Sequence, residues 1–344
     1  LSLFFEMKRL FSNVINLIFV ILIGVSLTGC TVSNADMGSS SPWSPVDLDT
    51  EANPLDIDFV DDKNGFLVGT DRLILETNDG GITWNERNLD IPIEGNFRLI
   101  SVDFKAQEGW IAGQPGLILH TTDGGKNWTR LDLGNKLPGD PYLITTIDSD
   151  SAELATTAGA IYKTTDGGTN WEALVIDTSG SGGIRELRRT KDGGYISVSS
   201  LGNFFSVLSP DQETWSPHQR ASSKRVQSVG EQPNGDLWML SRGAEIRFNS
   251  DPEDIDAWSK PIIPIVNGYN YQDLVWDSSD SIWAAGGNGT LLVSNDDGKT
   301  WEQDPVGDSV PTNFIRILFV DDSKSVTPKG FVFGERGNLL RWQG

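Results

Sequence analysis

Thr121-Thr122-Asp123-Gly124-Gly125-Lys126-Asn127-Trp128 is one copy of a pattern that recurs along the chain. Thr77 to Trp84 reads TNDGGITW, Thr164 to Trp171 reads TTDGGTNW and Ser294 to Trp301 reads SNDDGKTW. Two degenerate copies fill the gap, SPDQETW ending at Trp215 and NSDPEDIDAW ending at Trp258. The closing tryptophans stand at 84, 128, 171, 215, 258 and 301, a step of 43 or 44 residues. One further step back lies Trp43, in Pro42-Trp43-Ser44-Pro45-Val46. A fixed period of this length is the mark of a repeat architecture, and the tryptophans count seven units.

Upstream of each copy stand short runs in which β-branched and aromatic residues alternate and glycines bound the ends. GFLVG (65–69), GWIAG (109–113), ELATT (153–157), GYISV (194–198), DLWML (236–240), SIWAA (281–285) and GFVFG (330–334) form one set. LILET, LILHT, AIYKT, LLVSN and Asn338 to Trp342 belong to a second set, and runs such as Leu99 to Phe104 and Ile315 to Val320 to a third. These are strand signals. With the segment after each tryptophan they supply four strands per period, the content of one propeller blade. The expected fold is therefore all-β, a seven-bladed β-propeller spanning 43–344. After 338–342 the chain lacks an outer strand, and the Trp43 segment is an outer strand lacking a blade. Pairing the two closes the ring and removes two open sheet edges.

The octamer resembles the Asp box of bacterial-neuraminidase-type repeats, a turn between third and fourth strands. Asp79, Asp123, Asp166 and Asp296 can accept backbone N–H groups within such a turn. The glycines take positive φ at no steric cost, and the tryptophan packs the hairpin on its sheet. Calcium binding is the functional alternative. One carboxylate per turn falls well short of the 6–8 oxygens that ion takes.

The N-terminal residues carry a different signal. Lys8 and Arg9 precede an apolar run from Leu10 to Leu27, then Leu27-Thr28-Gly29-Cys30, with no acidic residue from Met7 to Ala35. A charged region, an apolar region and a small-residue cut site describe a signal peptide over 1–29. A cysteine just after the cut resembles the bacterial lipobox, which implies lipidation of Cys30. The alternative is an uncleaved anchor helix, for which about 18 apolar residues is a short span. Residues 30–42 then hold the lipidated cysteine and a small, polar, flexible tether. Leu1 to Glu6 precede the first methionine, Met7, and the start of translation is open between the two.

Chemistry is sparse. Cys30 is the one cysteine, so neither an internal disulfide nor a thiolate cage is possible. The two histidines, His120 and His218, have no partner at metal-ligand spacing in sequence. No P-loop, dinucleotide fingerprint or Gly-x-Ser-x-Gly occurs, and no cofactor is expected. Asp boxes are shared with sialidases, so a propeller that binds or cleaves glycans is the alternative function. The Arg-Ile-Pro segment expected of a sialidase is missing. The acidic pairs Asp61-Asp62 and Asp321-Asp322 read as solvated charge on turns. Fold alone is a weak warrant for activity.

The net charge of −21 repels nucleic acid and anionic lipid. A local excess of positive charge is all the more informative. From Gly183 to Arg247 there are nine basic residues and seven acidic ones. Arg220, Lys224 and Arg225 fall in a fourth-to-first connection, Arg242 in a second-to-third turn, and Arg185 at the start of an inner strand. All five are expected on the face opposite the Asp boxes, over blades four and five. Arg188 and Arg189 lie further along that strand, and one should face the channel. Focused positive charge of this kind suits an acidic peptide, since arginine grips a carboxylate with two parallel bonds.

The lipobox, the single seven-bladed ring and this arginine cluster together resemble the photosystem II assembly and stability factors of cyanobacteria and plastids, from Met7 to the end. The resemblance implies a non-enzymatic protein, lipid-anchored on the lumenal side of the thylakoid membrane. It implies action early in photosystem II biogenesis and repair, through binding of newly made reaction-centre D1 (D-one) precursor and its C-terminal extension. It places the family's arginine patch on Arg185, Arg188, Arg189, Arg220 and Arg225, and the lipobox favours a cyanobacterium-like cell. A monomer is expected, with no nucleic-acid partner.

Overall fold

The computed structural model describes residues 41–89, 95–133, 137–220, 222–251, 253–264, 268–320 and 328–344. The expected signal peptide over 1–29, Cys30 and most of the expected tether lie outside the described residues, as does Asp321-Asp322. From Ser41 on, the chain forms one unit.

Seven antiparallel sheets follow one another at the sequence period among the described residues. Blade one is built from Pro54–Phe59, Gly65–Gly69, Ile74–Thr77 and Asn85–Glu86, and blade two from Arg98–Lys105, Glu108–Gln114, Leu117–Thr121 and Thr129–Asp132. Blade three comprises Pro141–Asp148, Ser151–Thr156, Ile161–Thr164 and Glu172–Val175. Blade four comprises Ile184–Arg189, Tyr195–Ser199, Phe204–Leu208 and Ser216–Gln219. Blade six uses Tyr271–Trp276, Ile282–Gly286, Leu291–Ser294 and Glu302–Gln303. Blade seven joins Phe314–Phe319, Gly330–Gly334 and Leu339–Trp342 to Trp43–Val46 from the other end of the chain, with Trp43 opposite Trp342 and Val46 opposite Leu339. The ring closes as the repeat count predicts.

Blade five departs from the pattern. It has three strands, Val226–Glu231, Leu237–Ser241 and Glu245–Phe248. Isolated bridges from Ile246 to Ile262 and Asn249 to Trp258 stand in for the fourth. The outer segment carries Pro261 and Pro264, which have no N–H to give a ladder, and its Asp box is degraded.

The Asp boxes show why their residues recur. In blade two, Asp123 accepts the Asn127 backbone N–H at 2.9 Å and the Asn127 amide at 2.7 Å, and the Thr121 hydroxyl at 2.9 Å. The second glycine of the box is the constrained one. Gly125 has φ +82°, and a Cβ there would stand 2.3 Å from Phe66 of the preceding blade. In blade six the first glycine is replaced by Asp297, which takes φ +58°, while Gly298 is kept.

Each box tryptophan then reaches the preceding blade. Trp128 meets Phe66 at 5.7 Å, Trp84 meets Phe331 at 6.4 Å and Trp171 meets Trp110 at 6.0 Å, each an aromatic of a second strand. Trp43 does the same with Trp283 at 5.5 Å. The N-terminal strand thus carries the same inter-blade wedge as the others.

Around the channel a second set of ties joins the blades. Asp56 accepts the Val102 N–H at 3.0 Å, Asp103 the Thr146 N–H at 2.6 Å and Asp273 the Ile317 N–H at 3.0 Å, each one period ahead. Asp56 and Asp273 are buried and Asp103 half-buried, and all three act as structural acceptors on first strands. Such bonds join residues about one blade apart, so no local pattern announces them.

Hydrogen bonds to the ionised form hold Asp123 down to about 2, the Asn127 backbone N–H first and its side-chain amide next. Asp166 and Asp296 are lowered through their equivalents, Asn170 and Thr300. A carboxylate depressed in the folded state contributes stability above its unfolded pKa, near 3.9, and loses it as pH falls toward the folded value. Asp123→Ala should therefore lower the melting temperature at pH 7. The gap to wild type should narrow between pH 4 and 2, as read by circular dichroism melts across that range.

Candidate functional site

Antiparallel strands place alternate connections at the same end of a blade. The first-to-second connections and the Asp boxes share one end of the ring, and the second-to-third and fourth-to-first connections share the other. At this second end the channel opens into a cavity of about 700 Å³, whose lining includes Arg98, Tyr142, Arg185, Arg188, Arg242 and Arg316.

The expected basic residues divide into two groups here. Arg185 is half-buried. Its guanidinium donates to the Val226 carbonyl, and to the Gln227 side-chain oxygen at 3.3 Å. Burial first, then the nearby Arg225 and Arg242, lower its pKa, which places the three cations in one field. Arg225 donates to the Ser200 carbonyl at 3.1 Å, and Arg242 is exposed. Arg98, absent from the expected set, stands on the same rim, exposed. Among the described residues none of Arg98, Arg185, Arg225 and Arg242 has a carboxylate within 4.0 Å. Four guanidiniums therefore stand without a neutralising partner around one opening.

Others of the expected set are already engaged. Arg188 faces the channel but bridges Glu186 and Asp273, each at 2.6 Å, and lies over the Trp238 ring at 5.1 Å. Burial raises the Glu186 pKa despite that bridge. Arg189 points away from this mouth, to Glu153 at 3.2 Å, and Tyr195 shares that carboxylate at 2.8 Å. Lys224 is paired with Glu245 at 2.7 Å. Arg220 donates to the Ser241 hydroxyl and the Lys224 carbonyl, each at 3.1 Å. Its pKa is lowered by burial, then by Arg247. Arg316 is held by Asp56 at 2.8 Å. The cations at this end without a carboxylate within 4.0 Å are thus Arg185, Arg225 and Arg242 with Arg98 added, and Arg220, which meets only neutral acceptors but lies half-buried near Arg247 and Glu245. Counting back from the box tryptophans would have found Arg98, which precedes Trp128 by as many residues as Arg185 precedes Trp215, although the strand registers set Arg98 level with Gly183.

Three further sequence readings change. Asp62 is paired with Lys329 at 2.8 Å, a lysine that is 3% exposed, so this acidic side chain ties blade seven to blade one. His218, expected in a loop after Trp215, lies in the strand Ser216–Gln219, stacked on Phe205 and 3.0 Å from Asp256. His120 gains the partners that spacing did not show, Glu108 at 2.5 Å and Asp150 close by. His120 Nε2 and a Glu108 oxygen form a close hydrogen-bonded pair. The same Glu108 oxygen accepts the Asp150 N–H at 3.1 Å, and His120 stacks on Trp110. The cluster binds blade two to blade three.

Fold and site together define a single-ring Asp-box propeller with a cationic channel mouth. The family model for "Photosynthesis system II assembly factor YCF48" matches residues 35–343, and the chain belongs to that family. It is 88% identical over 338 residues to the photosystem II assembly lipoprotein Ycf48 of Prochlorococcus marinus strain NATL2A, covering 98% of this chain and 100% of that one. A solved structure of YCF48 bound to D1 peptide superposes with a TM-score of 0.83 at 41% identity, over 89% of this chain and 98% of the other. YCF48 from Cyanidioschyzon merolae gives a TM-score of 0.79 at 37% identity, over 88% and 99%.

Proposed function

We propose that this photosystem II assembly factor binds newly made D1 precursor through its cationic channel mouth, early in biogenesis and in repair. In this reading the protein sits on the lumenal side of the thylakoid membrane as a monomer, held by lipid on Cys30. Two acyl chains would anchor it stably where one would not. The observation that carries the reading is the group Arg98, Arg185, Arg225 and Arg242, cations without carboxylate partners on a chain of net charge −21. A flexible segment ending in a free carboxylate is the complementary ligand. That a relative has been solved with a D1 peptide supports the same partner.

The mouth supports binding more than catalysis. Its carboxylates Asp56, Glu186 and Asp273 are committed to backbone N–H groups, to Ser228 and to arginines. They hold the ring together and are not poised as a free acid and base.

Affinity capture with the lipidated protein from thylakoid membranes, probed for D1, should recover the precursor in preference to mature D1. Equal recovery of both forms would remove the extension from the account. The anchor has its own readout: Cys30→Ser should leave the protein unprocessed or release it from membranes. An intact mass matching an unmodified mature N-terminus would contradict it.

A further inference from the structure

Leu201 is the most exposed large apolar side chain among the described residues, at 84%. A lone exposed leucine is ordinary on a protein surface. This one differs in how it is held and where. Its turn joins the second and third strands of blade four, at the mouth end. Leu201 N–H donates to the Gly182 carbonyl at 3.2 Å, Ser200 N–H to Gly183 at 3.0 Å, and the Ser199 hydroxyl accepts from Leu201 and Gly202. On the other flank the Ser200 carbonyl accepts from Arg225, and Asn203 bonds to Ser222 at 2.7 Å and to Val226 at 2.9 Å. The turn is therefore fastened to the connection that leads into Arg185 and to the one that carries Arg225. An apolar knob is presented in fixed geometry at the mouth end, beside Arg225, whose guanidinium holds the adjoining Ser200 carbonyl.

We infer that Leu201 is an apolar anchor for the bound peptide, and that the mouth selects a segment carrying an apolar side chain beside its carboxylates. The inference rests on the peptide-binding reading above and adds a specificity element to it. Charge complementarity identifies the occupant, since Arg225 on the turn, in one cationic cluster with Arg185 and Arg242, demands acidic groups on whatever covers the knob. Because the turn is already ordered, little conformational entropy is lost when the knob is covered.

The probe is a synthetic peptide of the D1 C-terminal extension, its binding followed by fluorescence anisotropy. Leu201→Ser should weaken binding five- to twentyfold, leaving the salt dependence and the melting temperature unchanged. Arg242→Glu should instead flatten the salt dependence. Replacing the peptide's apolar residues with serine should weaken wild type but add little to the loss in Leu201→Ser, the signature of a direct pairing. Wild-type affinity in Leu201→Ser, with Arg242→Glu impaired, would overturn the anchor and leave the basic site standing. No binding by the wild type would overturn both. Should Leu201→Ser instead lose self-association in sedimentation, or binding to thylakoid-lipid vesicles, with peptide affinity intact, the knob serves a second copy or the bilayer and the inference fails.

Discussion

Arg225→Glu together with Arg242→Glu should weaken binding of the D1-extension peptide by about tenfold to a hundredfold. A hydrogen bond to a charged group contributes about 1.5–3 kcal/mol, less where the pair stays wet, and 1.4 kcal/mol is a factor of ten. Arg242 is exposed and Arg225 half-buried in a loop, so the fold should survive. Added salt should weaken the wild type and have a smaller effect on the variant, because exposed charges are screened beyond about 8–10 Å at physiological ionic strength. Arg220→Glu is the contrasting case. Its guanidinium is already spent on Ser241 and Lys224 beside Glu245, so the change should cost stability more than affinity. Isothermal titration of the two variants beside thermal melts separates these outcomes. A double variant that binds like wild type would mean these arginines are a solvated face.

Removing the N-terminal strand should have the largest effect on stability. Trp43 is 2% exposed and packs against Trp283 at 5.5 Å, Phe319 at 5.8 Å and Trp342 at 4.9 Å. Trp→Ala in such a site costs about 3–5 kcal/mol, on the order of 10 °C for a domain of this size. Deleting residues 43–46 removes the wedge and also bares the edge of Leu339–Trp342, which invites association between chains. The deletion variant should melt well below Trp43→Ala and aggregate on heating. A deletion that melts within 2–3 °C of wild type would show that the pairing of Trp43 with Trp342 does not close the ring.

The fold was readable because the information is local and periodic. A turn needing Asp, Gly and Trp within eight residues occurs in four intact copies, two degenerate ones keep the tryptophan in step, and Trp43 falls in phase with them. Blade five was the exception, since prolines in its outer segment remove the N–H groups a fourth strand would use. The site was only half readable. Loop placement found Arg185, Arg225 and Arg242, because an antiparallel meander fixes which end each connection occupies. It could not separate them from Arg189 and Lys224, whose carboxylate partners lie 36 and 21 residues away in Glu153 and Glu245, nor from Arg188, which joins the nearby Glu186 to Asp273, 85 residues on. Whether a charge is free is a property of neighbouring blades. Counting arginines along the sequence says nothing of it. Leu201 is not legible in the sequence for a related reason, since only the folded turn shows a leucine fastened outward beside Arg225.

Photo-crosslinking reports where on the ring the peptide lies. A D1-extension peptide bearing a photoreactive residue near its C-terminus would be crosslinked to the intact protein and the products mapped by mass spectrometry. Adducts should concentrate on peptides spanning 182–203 and 220–243, be lost with Arg225→Glu/Arg242→Glu, and fade with added salt. Adducts concentrated on the Asp-box turns around Asp79, Asp123, Asp166 and Asp296, insensitive to that double change, would place the partner on the opposite end of the ring and contradict the account.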